Sequence, residues 1–203
     1  MKDTNKQHMP SIAESAFIAW NAHVCGDAEL AEHTSVWFSA TVRADIAPIK
    51  IGKNSNIQDN AVVHVDENIP CIVGENVTVG HGAILHSCTV KNGSTIGMGA
   101  IVLNEAVIEE NSMVGAGALV TQGKTFPAGS LILGSPAKAV RSLTDEEIKT
   151  MKKNTENYVR HAAEEKEHNR RARRKHAENR SKKIAAAHSR FFCRSFSSAA
   201  WRT

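Results

Sequence analysis

An aliphatic residue returns every six positions through most of this chain: Ile18, Val24, Leu30, Val36 and Val42, then Ile51, Ile57 and Val63, then Val73, Val79 and Leu85. After a five-residue step it runs on from Val90 through Ile96, Val102, Ile108 and Val114 to Val120. Four residues after each comes a small or β-branched residue in nearly every case, among them Ala22, Ala28, Thr34, Ala40, Ala61, Ala83 and Ala100. Gly or Asn is common between the two, as at Gly52, Asn54, Gly74, Asn76, Gly97 and Gly99. An amphipathic helix needs a period of 3.6 and few glycines, so the pattern excludes one. It predicts one short strand and one turn per hexapeptide, with three hexapeptides closing a triangular coil. The aliphatic residue points inward, the small residue fits the corner, and Gly or Asn supplies the turn angles. A single coil cannot bury its apolar face alone, so the coils must stack into an all-β solenoid of parallel strands.

Two insertions interrupt the period. One is Ala47–Ile49, with Pro48; the other is the ten-residue step from Val63 to Val73, which holds Asp66, Glu67, Asn68 and Pro70. Both are expected to bulge from the solenoid as loops. The repeat weakens at TQGKTFPAGSLILGSPAKAVRSL, which reads as a crossing segment. SLTDEEI then predicts a helix start, with Thr144 as N-cap and Glu147 completing a capping box. Ile148, Met151, Tyr158, Val159 and Ala162 form an apolar stripe at helical spacing. The expected organisation is a solenoid with a metal site over 11–140, a C-terminal helix packing on it over 141–167, and a basic tail, helical or disordered, over 168–203.

The register of the repeat sorts three histidines near its middle. His64 follows Val63 and His86 follows Leu85, each in the second hexapeptide of its coil. They should stack outward on consecutive coils, about 4.8 Å apart along the backbone. Two imidazoles at that spacing can share one cation at a Zn–N distance of about 2.0–2.1 Å. Arg43 holds the same place one coil earlier, after Val42. His81 belongs to another face, out of reach of that pair within one chain. A threefold assembly would carry one subunit's His81 to another's His64 and His86, making three sites at three interfaces, each with an open position. The seven other histidines read as solvated surface residues.

Charge divides the chain. Of 25 Lys and Arg, 11 lie from His168 onward, leaving 14 before it; of 21 Asp and Glu only Glu178 lies there, leaving 20. The body is therefore net −6 and the tail net +10. The tail reads as a solvated helix fraying into disorder rather than a nucleic-acid or acidic-lipid surface. Its last stretch, RFFCRSFSSAAWRT, fits no period. Aromatic residues make up only 5% of the chain, so β-branched and small residues must carry the core. No run of 18 apolar residues is present to span a membrane, and MKDTNKQHMPSIAESAFIAW lacks the plan of a signal or transit peptide. The four cysteines show no C-x-x-C spacing and read as thiols of a reducing compartment. A cytoplasmic location is expected.

VRADIAPIKIGKNSNIQDNAVVHVDE, VGHGAILHSCTV, IGMGAIVL and GSPAKAVR together resemble the γ-class carbonic anhydrases and their bacterial homologues, over about Ser11 to Tyr158. The resemblance implies a left-handed parallel β-helix, a homotrimer, and reversible hydration of CO2 to bicarbonate. It implies His64, His81 and His86 as ligands of zinc, or of ferrous iron or cobalt, with His81 supplied by a neighbouring subunit. Gln58 would hydrogen-bond the bound water or bicarbonate, with Asn56 beside it and Asp45 behind the ligands. Arg43 and Asp59 would pair across the trimer interface. The best-studied members carry a Glu directly after the position of Asp45, where this chain has Ile46, and an acidic insertion with a proton-shuttle Glu before the first ligand, which this chain lacks. In this it is similar to a shorter subgroup, and Asp66, Glu67 or Tyr158 are the candidates to replace the shuttle. Two other functions suit the same scaffold: a hexapeptide-repeat acyltransferase or acyl-CoA thioesterase using one imidazole as base, and a non-catalytic trimeric subunit held together by its metal.

Overall fold

The computed structural model describes residues 9–197, with side chains described from Met9 to Arg171. The side chains of most of the basic tail, and residues 198–203 altogether, lie outside the described residues, so the reading of that tail is not taken further. The chain divides into two compact units, Met1–Ala163 and Glu164–Thr203.

The first unit is a parallel β-solenoid whose strands stack in three columns. One column runs through Phe17–Ile18, Ser35–Val36, Asn56–Ile57, Thr78–Val79, Thr95–Ile96, Met113–Val114 and Ser130–Gly134. The long strand Thr41–Ile51 serves the other two. Its first part pairs with Val62–His64, and the stack continues through Ile84–His86, Ile101–Val102 and Leu119–Val120. Its second part pairs with Cys71–Val73, continuing through Thr89–Val90, Val107–Ile108 and Thr125–Phe126. The repeat aliphatics from Leu30 to Val120 are all buried in one continuous core, while Ile18 and Val24, at the open end, are only half-buried. Cys71 and Cys88 are free, buried thiols of this core. Hydrogen bonding to Cys71, together with burial, pushes the Cys88 thiol up.

Two features depart from the sequence expectation. Phe126 and Ile132 hold the six-residue step beyond Val120 and are buried. The repeat therefore continues through the segment read as a crossing, and only then turns back as the antiparallel strand Ala137–Ser142. The insertion Ala47–Ile49 is not a loop but a bulge inside a strand. Gly26 faces Ala44 and Ala28 faces Ile49, so Asp45 to Pro48 are accommodated opposite Asp27 alone. A bulge suffices because Ala47 and Ile49 still point into the core. Gly26 permits it: its φ is +78°, and a Cβ there would meet the Ala44 carbonyl oxygen at 2.0 Å. The second insertion does leave the solenoid, as a turn closed by an Asp66–Ile69 bridge with Asn68 at φ 60°.

The helix begins at Asp145 and runs to Ser197. Thr144 caps it as the sequence predicts. The Glu147 backbone N–H donates to the Thr144 hydroxyl at 3.2 Å and the Thr144 N–H donates to the Glu147 carboxylate at 2.8 Å. Met151 and Ala162 are buried, Ala162 in a cluster with Phe17, Ala19 and Trp37. Thr155, absent from the apolar stripe, is buried too, because its hydroxyl meets that of Thr78 at 3.1 Å. Tyr158 packs edge-on to Trp37, ring centroids 5.5 Å apart. In the second unit the helix carries an Arg171–Glu167 pair at 2.9 Å. No described helix is long and apolar enough to cross a membrane.

Leu85→Ala, which empties a fully buried core position, should cost about 2–5 kcal/mol in denaturant unfolding. The Arg141 guanidinium, bonded twice to Glu147, and the Thr144 N–H hold the Glu147 carboxyl down at about 2. Its folded value lies below the ordinary Glu value, so its contribution is complete above about pH 4.5 and is lost as pH falls toward 2. Glu147→Gln should therefore flatten the acid limb of a melting-temperature-against-pH curve in that window and leave the neutral limb parallel to wild type.

Candidate metal centre

His64 and His86 end short strands in the second column, and parallel pairing sets Arg43 opposite His64 and His64 opposite His86. Side chains alternate along a strand, so Val63 and Leu85 point inward and the histidine after each points out. The two rings approach with centroids 5.1 Å apart, and His64 Nδ1 lies 3.2 Å from His86 Nε2. Two ligand nitrogens on a tetrahedral zinc are separated by about 3.3 Å, given a Zn–N bond of about 2.0–2.1 Å.

The remaining ring nitrogens fix the tautomers. His64 Nε2 lies 3.1 Å from Asp45 Oδ1, and Asp45 is also held by the Arg43 guanidinium. Burial pushes the Asp45 carboxyl up, but its own backbone N–H, the His64 ring and Arg43 outweigh this and hold it below the ordinary Asp value. An ionised carboxylate only accepts, so His64 Nε2 carries the hydrogen and Nδ1 keeps its lone pair. His86 Nδ1 lies 2.7 Å from Asn104 Oδ1, and the Asn104 amide is oriented by Nδ2 donating to Asp66 Oδ2 at 3.2 Å. His86 Nδ1 is thus the donor and Nε2 keeps its lone pair. Two lone pairs face each other across 3.2 Å, an arrangement that repels unless a proton or a cation lies between them. The residues present therefore fit a divalent cation. Metal-bound histidines elsewhere show the same outer partner on the second nitrogen.

His81 stands at a different corner. It follows a strand of the first column, one coil beyond Asp59, and its Nδ1 lies 2.8 Å from Asp59 Oδ2. Among the described residues, no three His, Cys, Asp or Glu side chains of one chain gather as a metal site. One protomer brings His64 and His86 together and leaves His81 apart from them. Gln58 and Asn56 lie on the His81 side. Gln58 Nε2 donates to Asn56 Oδ1 at 3.1 Å and Asn56 Nδ2 donates to Thr78 at 3.0 Å, a chain that ends on helix residue Thr155. Both amides are buried, so their orientations are locked. Burial, and then the Asp59 charge, push the Tyr158 hydroxyl up. Within the protomer Arg43 is engaged by Asp45, and Asp59 by His81. Ile46 is exposed and Asp66 is tied to Asn104. Asn104 was missed in the sequence. Its place one coil past His86 was legible, but nothing in the repeat singles out an Asn that turns toward a histidine from one that shapes a turn.

No family model matches the chain. It is 47% identical over 154 residues to a carbonic anhydrase of Geobacillus kaustophilus, covering 76% of this chain and 85% of that protein. The chain belongs to the γ-carbonic anhydrase family. The γ-class label itself comes from Gamma carbonic anhydrase 2, mitochondrial, of Arabidopsis thaliana, 40% identical over 156 residues; these are 74% of this chain but 56% of the plant protein, so the chain spans little more than half of that relative. Among solved structures, a hexapeptide transferase family protein from Anaplasma phagocytophilum is 44% identical with a TM-score of 0.73, covering 75% of this chain and 90% of that one.

Proposed function

We propose that this protein catalyses the reversible hydration of CO2 to bicarbonate at three-histidine metal sites formed between the subunits of a homotrimer. One observation carries the reading. His64 and His86 each donate one ring N–H to an atom that can only accept, on Asp45 and Asn104, so their two facing nitrogens, 3.2 Å apart, both keep a lone pair, while His81 stands at another corner with its Nδ1 2.8 Å from Asp59 Oδ2. His64 and His86 would hold the cation with a neighbouring subunit's His81; zinc is the first candidate, with ferrous iron or cobalt as the others. A divalent cation held by neutral ligands lowers the pKa of a coordinated water to about 7 and so supplies a nucleophile at neutral pH.

The chain's own groups support the rest of this reading. Asp45 and Asp59 hold their imidazoles in place and favour them as ligands. Gln58, with one amide hydrogen committed to Asn56, keeps a second donor and a carbonyl to orient water or bicarbonate. The trimer is supported by the second column's outer face. There Val62, Ile84, Ile101 and Leu119 stack as a ladder of apolar side chains beside the histidine pair. The first column is covered by the helix, and the third bears ion pairs such as Lys50–Glu29. Ile46 cannot carry a proton, so turnover should depend on buffer to take the proton released in each cycle.

The solved relative described as a hexapeptide transferase favours a second reading, acyl transfer with a single histidine base. That chemistry needs no metal and no stacked pair. Metal content and CO2 hydration separate the two. Wild type should bind about one zinc or cobalt per chain and accelerate CO2 hydration in proportion to buffer concentration, and His81→Ala should lose both while remaining folded. A metal-loaded wild type without CO2 hydration at high buffer would overturn the catalytic reading and leave a metal-stabilised structural subunit. Acyl-CoA-dependent transfer by metal-free protein would favour the transferase.

A further inference from the structure

The turn between the two ligand strands is tied into the site by side chains that the metal reading does not use. Ser87, directly after His86, is buried and adopts φ 46°, a conformation in which a non-glycine residue needs surrounding contacts to hold it. Its hydroxyl accepts the Asp66 N–H at 2.6 Å and donates to the Ile69 carbonyl at 2.9 Å, pinning both ends of the turn. Both oxygens of the Asp66 carboxylate are engaged: Oδ1 accepts the Glu67 N–H at 2.9 Å and Oδ2 accepts Asn104 Nδ2–H at 3.2 Å. Asn104 accordingly turns its carbonyl oxygen to His86 Nδ1 at 2.7 Å. Reversed, the amide would set its oxygen against the Asp66 carboxylate.

We infer that Asn104 is a positioning residue for His86, and that Asp66, on the insertion turn, fixes the direction in which Asn104 presents its amide. The inference rests on the proposed metal site. The turn thereby acts on the cation through two side chains, holding His86 in the tautomer whose Nε2 is left to bind. Asp45 does the same for His64 with a direct carboxylate contact, whereas His86 obtains its acceptor from a neutral amide.

The test uses the full chain with zinc or cobalt as the probe. Asn104→Leu should weaken metal binding about 10- to 100-fold while the trimer mass and the melting temperature of metal-free protein stay close to wild type. Asn104→Asp alone sets two carboxylates against each other and should also bind poorly. Combined with Asp66→Asn it reverses donor and acceptor in that contact, keeps an acceptor on His86, and should restore affinity to within a few-fold of wild type. Long-range nitrogen–proton NMR of metal-free protein, above the imidazole titration range, should show His86 as the Nδ1–H tautomer in wild type and a mixture in Asn104→Leu. An Asn104→Leu protein with wild-type affinity and an unchanged His86 tautomer would overturn the inference. A wild type that binds no metal would sink the metal reading instead, and the tautomer measurement would still decide the role of Asn104.

Discussion

The parallel register between successive coils is the constraint on which this molecule depends. Each strand is too short to be stable alone, and its backbone hydrogen bonds and its one inward aliphatic residue find partners only in the coils before and after it. Stacking in register buries Val42, Val63, Leu85 and Val102 in one column and, by the alternation of side chains, sends out the residues that follow. The ordinary distance between stacked residues is 18 positions, as at Asn21 and Ser39, but His64 and His86 are 22 apart. The turn at Asp66–Ile69 absorbs the difference. The core restores the register at Cys71–Val73, where Cys71 and Val73 both point inward and are buried, so a one-residue slip would turn both out of the core.

Electrostatics works on top of this frame with few charges. Arg43, Asp45 and His64 form one line, and Asp66, Asn104 and His86 another, and the two lines meet at a pair of facing lone pairs. That meeting point is unfavourable for neutral rings and favourable once a positive charge is placed in it. The third histidine is held by its own carboxylate at another corner of the prism. A triangular coil cannot bring its corners together, so the complete site and the association of subunits become the same requirement in the proposed assembly. The apolar ladder of Val62, Ile84, Ile101 and Leu119 gives that association a hydrophobic contribution next to the half-site.

The six-residue period was enough to identify the solenoid, to group its strands in threes and to align His64 with His86, since each depends only on counting along a regular lattice. The capping box at Thr144 and Glu147 was equally legible because it is a local exchange of hydrogen bonds. Counting failed where side chains compensate for an irregular step. Ala47 and Ile49 keep their place in the core by a bulge at Gly26, and Phe126, an aromatic at an aliphatic position, carries the repeat on to Ile132. Thr155 escaped notice because a buried threonine is explained by its partner Thr78, not by its own polarity.

The sequence by itself determined the architecture and which histidines share a column, because period and burial are properties of the order of residues. Only the tertiary structure decided which ring nitrogen each histidine offers. For His64 and His86 that choice depends on Asp45 and Asn104, and through Asn104 on Asp66, 38 positions away along the chain. Whether those groups donate or accept toward a given atom is set by where the folded coils place them, and no spacing rule along the chain carries that information.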